Sequence, residues 1–253
     1  MIPKNGNLAE HAVLYISMHK PKSFIIENVD AMVSVFEDYF GAMVAMLKDI
    51  NDGNGNPVYQ LQWEVVNTST HGGLPQNRAR MYLVGIRRDC MVAPFEWPCQ
   101  IPMKRLSQVL DDHKGAHDLE EQVRGMSATK TQAILQGLEK ILTRFGRVDD
   151  VEAIIDIGGS KGQPMYDCCP CLTKSRSGDS AFWSVRRRRV LTLTEMTRMQ
   201  GASPDYFAGW EEHMHPRAMG NIIGNAMTQS IVERIMRQMF IAMGWAVKPD
   251  RWV

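Results

Sequence analysis

The chain has 253 residues, 44% of them apolar and 23% charged, with a formal net charge of +1 at neutral pH. This is an ordinary globular composition, and it excludes extended disorder and a uniformly basic coat for nucleic acid. No apolar run approaches the roughly 18 residues of a membrane span, Met1-Ile2-Pro3-Lys4-Asn5 does not open a signal peptide, and five cysteines without an export signal fit the reduced thiols of an intracellular protein.

In chain order, residues 7–18 read as a short helix and Lys22–Glu27 as a buried strand with Glu27 at its polar end. Asp30 is placed to cap the next helix, where Met32, Val35, Phe36, Tyr39, Met43, Met46, Leu47 and Ile50 recur at helical spacing until Asp52-Gly53-Asn54-Gly55-Asn56-Pro57 ends the run. Two β-rich stretches follow, Tyr59–Asn67 and Ala79–Ile86. Strand–helix–strand order with apolar strands predicts an α/β fold with an open sheet, whose chemistry belongs beyond the carboxyl ends of the strands, where Glu27 falls. From Pro94 to Ser184 the pattern loosens into a separate lobe with an acidic stretch at Asp111–Glu121, a helix at Thr129–Phe145 and a strand at Glu152–Ile157. Val232, Ile235, Met236, Met239, Phe240 and Met243 then form the apolar stripe of a final helix stopped by Gly244.

Four short signatures stand in a fixed order along this frame. Phe24-Ile25-Ile26-Glu27-Asn28-Val29 comes first, followed by Pro75-Gln76-Asn77-Arg78-Ala79-Arg80. Arg189-Val190-Leu191-Thr192, running to Glu195 and Gln200-Gly201, is third, and Gly224-Asn225-Ala226 is last. Together they resemble motifs VI, VIII, IX and X of the DNA cytosine-5 methyltransferase family, over residues 21–235. The resemblance implies a partial S-adenosylmethionine-dependent, Rossmann-like α/β sheet with a smaller target-recognition lobe. It divides the chain into residues 1–93 (catalytic domain), 94–185 (recognition lobe) and 186–253 (return to the catalytic domain).

In the family a cysteine thiolate adds to C6 of an extruded cytosine, a carboxylic acid at N3 absorbs the developing charge, and S-adenosylmethionine supplies the methyl group to C5. By resemblance Glu27 is that acid, a role worth 10²–10⁴ in rate. Alternation along a strand puts Gln76, Arg78 and Arg80 on one face. The resemblance gives Arg80 to the flipped base and its phosphate and Arg78 to bracing the nucleophile loop, for which a planar guanidinium is suited. Cys169-Pro170-Cys171-Leu172-Thr173-Lys174-Ser175-Arg176 is similar to the segment that grips DNA around the extruded base, and Asn225 falls in the motif beside the cofactor pocket. Gln200-Gly201 is followed by Ala202-Ser203-Pro204 where the family has Gly-Phe-Pro, a departure that bears on local packing.

Between Cys171 and Gln200 lie Lys174, Arg176, Arg186, Arg187, Arg188, Arg189 and Arg198 against only Asp179 and Glu195. Such a cluster neutralises phosphates if it contacts DNA, and is a solvated basic face if it does not. The expected DNA contacts are Gln76, Thr173, Lys174, Arg176 and Arg187.

Two segments imitate missing parts. Pro98-Cys99-Gln100 spells the family's nucleophile tripeptide but follows the Gln-x-Arg-x-Arg signature and lacks small residues before it, so it reads as non-catalytic. Ile154-Ile155-Asp156-Ile157-Gly158-Gly159-Ser160-Lys161-Gly162 imitates a strand and glycine loop for S-adenosylmethionine, but Gln163-Pro164 stands where a helix should begin, and a turn within the lobe is the better reading. Cys168, Cys169 and Cys171 lack a second ligand pair for zinc, and His113 and His117 read as solvated.

Only 26 residues precede Glu27, whereas the family places its glycine loop and nucleophile before that motif. The expectation is the C-terminal portion or a split subunit of a double-stranded-DNA methyltransferase, completed by a partner carrying motifs I–V. A non-catalytic DNA-binding relative is the alternative, and an RNA-methylating branch stays open.

Overall fold

The computed structural model describes residues 7–159 and 161–247; Met1–Asn5 and Ser160 lie outside the described residues. In chain order the elements are α1 (Asn7–His19), β1 (Ser23–Val29), α2 (Ala31–Ser34), α3 (Glu37–Lys48), β2 (Tyr59–Asn67), α4 (Thr68–His71), β3 (Ala79–Arg87), α5 (Leu119–Gln122), α6 (Ala128–Phe145), β4 (Ala153–Asp156), β5 (Gln163–Tyr166), α7 (Lys174–Gly178), β6 (Phe182–Ser184), β7 (Arg189–Val190), α8 (Leu193–Met199), α9 (Pro216–Asn225) and α10 (Gln229–Ala242). The chain is mixed α/β. It forms two compact units, one of residues 1–66, 79–98 and 233–253, the other of 67–78 and 99–232. These units cut the chain differently from the expected spans: residues 186–232 pack with the lobe, and so does the short segment 67–78.

The first unit is built on a sheet of order β1-β3-β2, with β1 antiparallel to β3 and Glu27 opposite Tyr82. The sheet around Glu27 is open, as expected, with its strands β1 and β3 running antiparallel. Met81 and Leu83 project from β3 into a core with Val13 and Ile16 of α1 and Phe40, Met43, Val44 and Leu47 of α3. The expected single helix after β1 is broken between α2 and α3, where Phe36 leaves helical geometry at φ −111° and ψ 40°. Asp30 itself sits in right-handed helical geometry and its side chain caps nothing, contrary to the expected capping role. Gly85 lies opposite Phe24, and a Cβ there would stand 2.2 Å from the Phe24 ring. That ring also meets Tyr59 edge-on at 5.1 Å, so the missing side chain makes room for an aromatic cluster.

The second unit contains an antiparallel sheet of order β5-β4-β6-β7. Helix α6 packs on it through Ala133, Ile134 and Ile141, which join Ile155 and Trp183 in one buried cluster. It begins at Ser127, whose side chain accepts from Lys130 N, and ends at Gly146 in the left-handed region at φ 68°. The expected span Thr129–Phe145 is reproduced to within one residue. A second cluster joins Leu106, Leu110, Leu172, Phe182, Met196, Met199, Met219 and Ile223.

The Phe24–Gly85 contact generates a double-mutant test. Gly85→Ala is expected to lower the unfolding free energy by about 1–3 kcal/mol through overpacking. Adding Phe24→Leu should recover part of that loss, giving a coupling of about 1 kcal/mol by denaturant titration. Strict additivity would show that the ring does not occupy the space above Gly85.

Candidate active site

Glu27 and Arg80 belong to the first unit. Position 80 pairs with Val29, two residues beyond Glu27 on the neighbouring strand, so the two side chains are diagonal neighbours on one face. Arg80 Nε lies 3.1 Å from Glu27 Oε1, and both side chains are mostly buried. A carboxylate held by a guanidinium at a sheet edge has a fixed orientation, which general-acid work at one ring nitrogen requires.

Gln76 and Arg78 precede β3 and belong to the second unit, so the three side chains of the signature do not share one strand face. Gln76 is fully buried. Its Nε2 donates to the Met199 carbonyl at 2.8 Å and its Oε1 accepts from Leu172 N at 3.1 Å. Arg78, 3% exposed, donates to the carbonyls of Leu172, Gly224 (3.3 Å) and Ala226 (2.9 Å). Gln200 closes the network, accepting from Thr228 Oγ1 and donating to the Ile223 carbonyl at 2.8 Å. Residues from all four signatures except the first thus meet around the Cys-Leu-Thr segment. Gln76 is corrected from an expected DNA contact to a buried brace, because both ends of its amide are already bonded inside the unit.

Gly224-Asn225-Ala226 closes α9 and does not open α10, which starts at Gln229. Gly220 and Gly224 stand one helical turn apart on α9, and a Cβ at either would fall 2.5 Å from Ser177 O or 2.3 Å from Thr173 O. Two hydrogens therefore let α9 touch the backbone of Thr173 and α7. This close approach is a feature sequence reasoning missed; the Gly-x-x-x-Gly spacing from Gly220 to Gly224 was its signal. Asn225 is exposed at the end of α9.

The basic cluster is largely neutralised within the fold. Arg176 pairs with Asp156, Arg186 and Arg187 with Glu152 at 2.9 and 3.0 Å, Arg188 with Asp149, Arg189 with Glu195 and Arg198 with Asp111. Apart from Glu195, these acids come from outside the stretch between Cys171 and Gln200. Arg187 is 3% exposed and its Nε donates to the Asp111 carbonyl. It is corrected from a phosphate contact to an internal one, since its guanidinium is buried and already bonded to Glu152 and to the Asp111 carbonyl. Lys174 is exposed at the start of α7 and, among the described residues, makes no ion pair; Thr173 is half-buried.

Glu195 is fully buried and accepts a two-pronged bond from Arg189 (both 2.8 Å), together with Thr192 N and Asp111 N. Burial pushes its carboxyl up, but the Arg189 guanidinium and the two backbone donors outweigh that and hold it below the usual range. Cys169 is completely buried and burial raises its thiol well above normal, while Cys168 is pushed up to about 11 by the same cause. Neither is a reactive thiolate. Cys99 is exposed. Among the described residues no cluster of His, Cys, Asp and Glu fits a metal.

The glycine segment after β4 is the turn of the β4–β5 hairpin, as expected for a turn within the lobe. A Cβ on Gly158 would meet Arg176 Nη1 at 2.7 Å and Ala181 Cβ at 2.8 Å, so that concavity is already filled. The described residues there do not fit S-adenosylmethionine, and exposed Asn225 alone does not make a cradle.

The model of the C-5 cytosine-specific DNA methylase family matches residues 3–241. The chain is 30% identical to the type II methyltransferase M.Bsp6I of Bacillus sp. strain RFL6, across 95% of this chain and 72% of that one. It is 27% identical to the type II methyltransferase M.NgoBI of Neisseria gonorrhoeae, across 90% of this chain and 64% of that one. Among solved structures, a putative DNA modification methyltransferase encoded within an Escherichia coli prophage aligns with a TM-score of 0.60 at 16% identity, covering 94% of this chain and 74% of that one. The Entamoeba histolytica methyltransferase EhMeth aligns with a TM-score of 0.55 at 16% identity, covering 92% and 68%. These structural likenesses speak to the fold.

Two measurements follow from the charges. Glu195→Gln should cost about 3 kcal/mol at pH 7. A depressed carboxyl stabilises above its unfolded pKa and loses that contribution as pH falls through the folded one, so the gap between wild type and variant should narrow below about pH 4. A gap constant from pH 7 to pH 3 would refute the clamp. Separately, Lys174→Ala should make the log–log salt dependence of DNA binding shallower by about 0.9. Arg187→Ala should instead lower stability by about 3–5 kcal/mol, and a stable variant with a shallower slope would return Arg187 to the DNA surface.

Proposed function

This chain belongs to the C-5 cytosine-specific DNA methylase family, and from that premise we propose that it is the C-terminal portion of a DNA cytosine-5 methyltransferase. The observation that carries the reading is the Glu27–Arg80 pair at 3.1 Å. Glu27 bonds N3 of an extruded cytosine, and Arg80 orients its carboxyl and faces the base and its phosphate. As negative charge develops on the ring during addition at C6, a proton held at N3 absorbs it, which is the physical reason for a fixed acid at that place.

Arg78 acts as a positioning residue. Its bonds to the Leu172, Gly224 and Ala226 carbonyls fix the segment from which Thr173 and Lys174 reach the duplex, with Arg176 beside them. Base extrusion costs a few kcal/mol, and contacts from a rigid segment offset it.

The family's methyl donor is S-adenosylmethionine, which supplies an electrophilic methyl group. Asn225 is the position that resemblance assigns to it here, and the rest of its site comes from a polypeptide carrying motifs I–V. The chain works with double-stranded DNA inside the cell; among the described residues no helix is long and apolar enough to cross a membrane.

The isolated chain is expected to transfer no labelled methyl group to cytosine-containing duplex DNA. Clear transfer abolished by Cys99→Ala would make the displaced tripeptide the nucleophile and overturn this assignment. With a complementing polypeptide, activity should appear and Glu27→Gln should reduce turnover by roughly 10²–10⁴. Unchanged turnover would remove Glu27 from the chemistry. Salt-sensitive DNA binding that no complementing polypeptide converts into methyl transfer would favour a non-catalytic DNA-binding relative.

A further inference from the structure

Among the described residues, β1 and β2 are the edges of the first sheet and β5 and β7 the edges of the second. An edge strand offers a row of backbone N–H and C=O groups to any extended chain, and folds ordinarily blunt it with charge, proline, brevity or a bulge. β7 has two residues, β5 carries Pro164, and β2 sets Gln60, Gln62 and Glu64 at alternate positions. β1 has none of these devices. It runs for seven residues as Ser-Phe-Ile-Ile-Glu-Asn-Val, without lysine or proline, and its register with β3 is continuous from Ser23 to Val29. Its one charge, on Glu27, is held by Arg80.

The ladder determines which backbone groups of β1 are left over. Arg87 N donates to the Lys22 carbonyl at 2.9 Å, one step beyond the Ser23–Ile86 pair. Antiparallel pairs alternate between bonded and non-bonded, so residues 24, 26 and 28 turn their N–H and C=O toward β3, while 23, 25, 27 and 29 turn theirs away. Val29 N is taken by Asn28 Oδ1 at 2.8 Å. Among the described residues, the outward backbone groups of Ser23 and Ile25 have no partner. The segments flanking β1 in the chain are apolar and exposed: Leu14, Tyr15 and Met18 on one face of α1, and Val35 and Phe36 where α2 gives way to α3. Isolated exposed apolar side chains are ordinary, but several on either side of an unblunted apolar strand mark a surface that is covered in the working protein.

We propose that the outward edge of β1 is the docking surface for the polypeptide carrying motifs I–V, which lays an extended apolar strand along Ser23–Val29; this rests on the reading that the chain is the C-terminal portion of a methyltransferase. Length selects this occupant. M.Bsp6I leaves more than a quarter of its chain, and M.NgoBI more than a third, without a counterpart here. Strand addition draws its affinity from main-chain hydrogen bonds and asks only alternating apolar contact of the side chains. The added strand would lie about 4.8 Å from β1. Its bonds to the Ile25 backbone and the Val29 carbonyl would bracket Glu27, so the incoming half is fixed against the acid without using its carboxyl group.

The test mixes the whole chain with the segment of M.Bsp6I that has no counterpart in it, and follows amide hydrogen exchange, binding and methyl transfer to duplex DNA. In the chain alone the Ile25 amide should exchange fast, while those of Phe24 and Ile26, bonded to β3, exchange slowly; the added segment should slow Ile25 to the rate of its neighbours. Ile25→Pro removes an outward donor and takes no bond from β3. It should weaken binding of the segment roughly five- to tenfold, the loss of one hydrogen bond. Ser23→Pro, at the first position of the strand where proline is best tolerated, supplies the same comparison should Ile25→Pro fail to fold. Binding or methyl transfer with Ile25 exchange unchanged, and equal in both proline variants, would overturn the docking surface and leave the methyltransferase reading standing. A slow Ile25 amide in a chain that sediments as a dimer would give the edge to a second copy and overturn the proposal. No binding at all would overturn it and count against the reading beneath it.

Discussion

The second unit depends on keeping a few buried hydrogen-bonding groups satisfied at once. Gln76, Arg78, Gln200 and Thr228 are interior side chains, the first two more than a hundred residues before the last two, and each is completed by backbone or side-chain atoms of the others' segments. In a medium of low polarizability such a network is nearly all-or-none, since leaving one member unbonded exposes its neighbours to the same desolvation cost. The segment it encloses, Leu172-Thr173, inherits that rigidity. The neighbouring helices add to it, because α9 reaches the Thr173 backbone only where glycines remove the side chains. The position of the candidate DNA-gripping segment is therefore set from behind, by groups that touch no ligand.

Charge is organised in a similar way. A run of arginines beside β6 and β7 looks like a surface made for polyanions, yet most of it answers acids within the same unit. Glu152 alone holds two guanidiniums, and Glu195 is clamped by a third. Pairs of this kind are weak as sources of stability when exposed and demanding when buried, because removal of one partner leaves an uncompensated ion. Among the described residues of this unit, Lys174 is an exposed cation outside these pairs.

Much of the fold was legible in the sequence because periodicity and punctuation reflect local physics. Helix α6 shows both its serine cap and its terminal glycine, and β2 and β3 appear as β-rich runs close to their observed limits. The Glu27 signature was legible as a strand bearing an acid, although β1 runs on past the expected end at Glu27 to Val29. What was hidden depended on long-range partners. The kink at Phe36 has no glycine or proline to announce it. Gln76 and Arg78 alternate with Arg80 as strand residues would, but the chain enters β3 only at Ala79, so the alternation misstates their neighbours. The basic run was misjudged at Arg187 for the same reason: its counter-ion Glu152 lies 35 residues away. A motif's residue types were readable from the string, whereas the division between residues facing ligand and residues bracing the fold was not.

The aromatic ring resting over Gly85 has a consequence for the acid on the same strand. Strands β1 and β3 are joined through residues 30–78, with no tight turn to index one against the other. A slide by a single position would carry Glu27 to the opposite face of the sheet, away from Arg80. It would also drive the Phe24 ring onto Val84 or Ile86, each of which has a branched side chain where Gly85 has none. The ring and the gap beneath it thus work as a key and its notch. They admit one alignment of the two strands, and in doing so they decide on which side of the sheet the carboxyl group emerges.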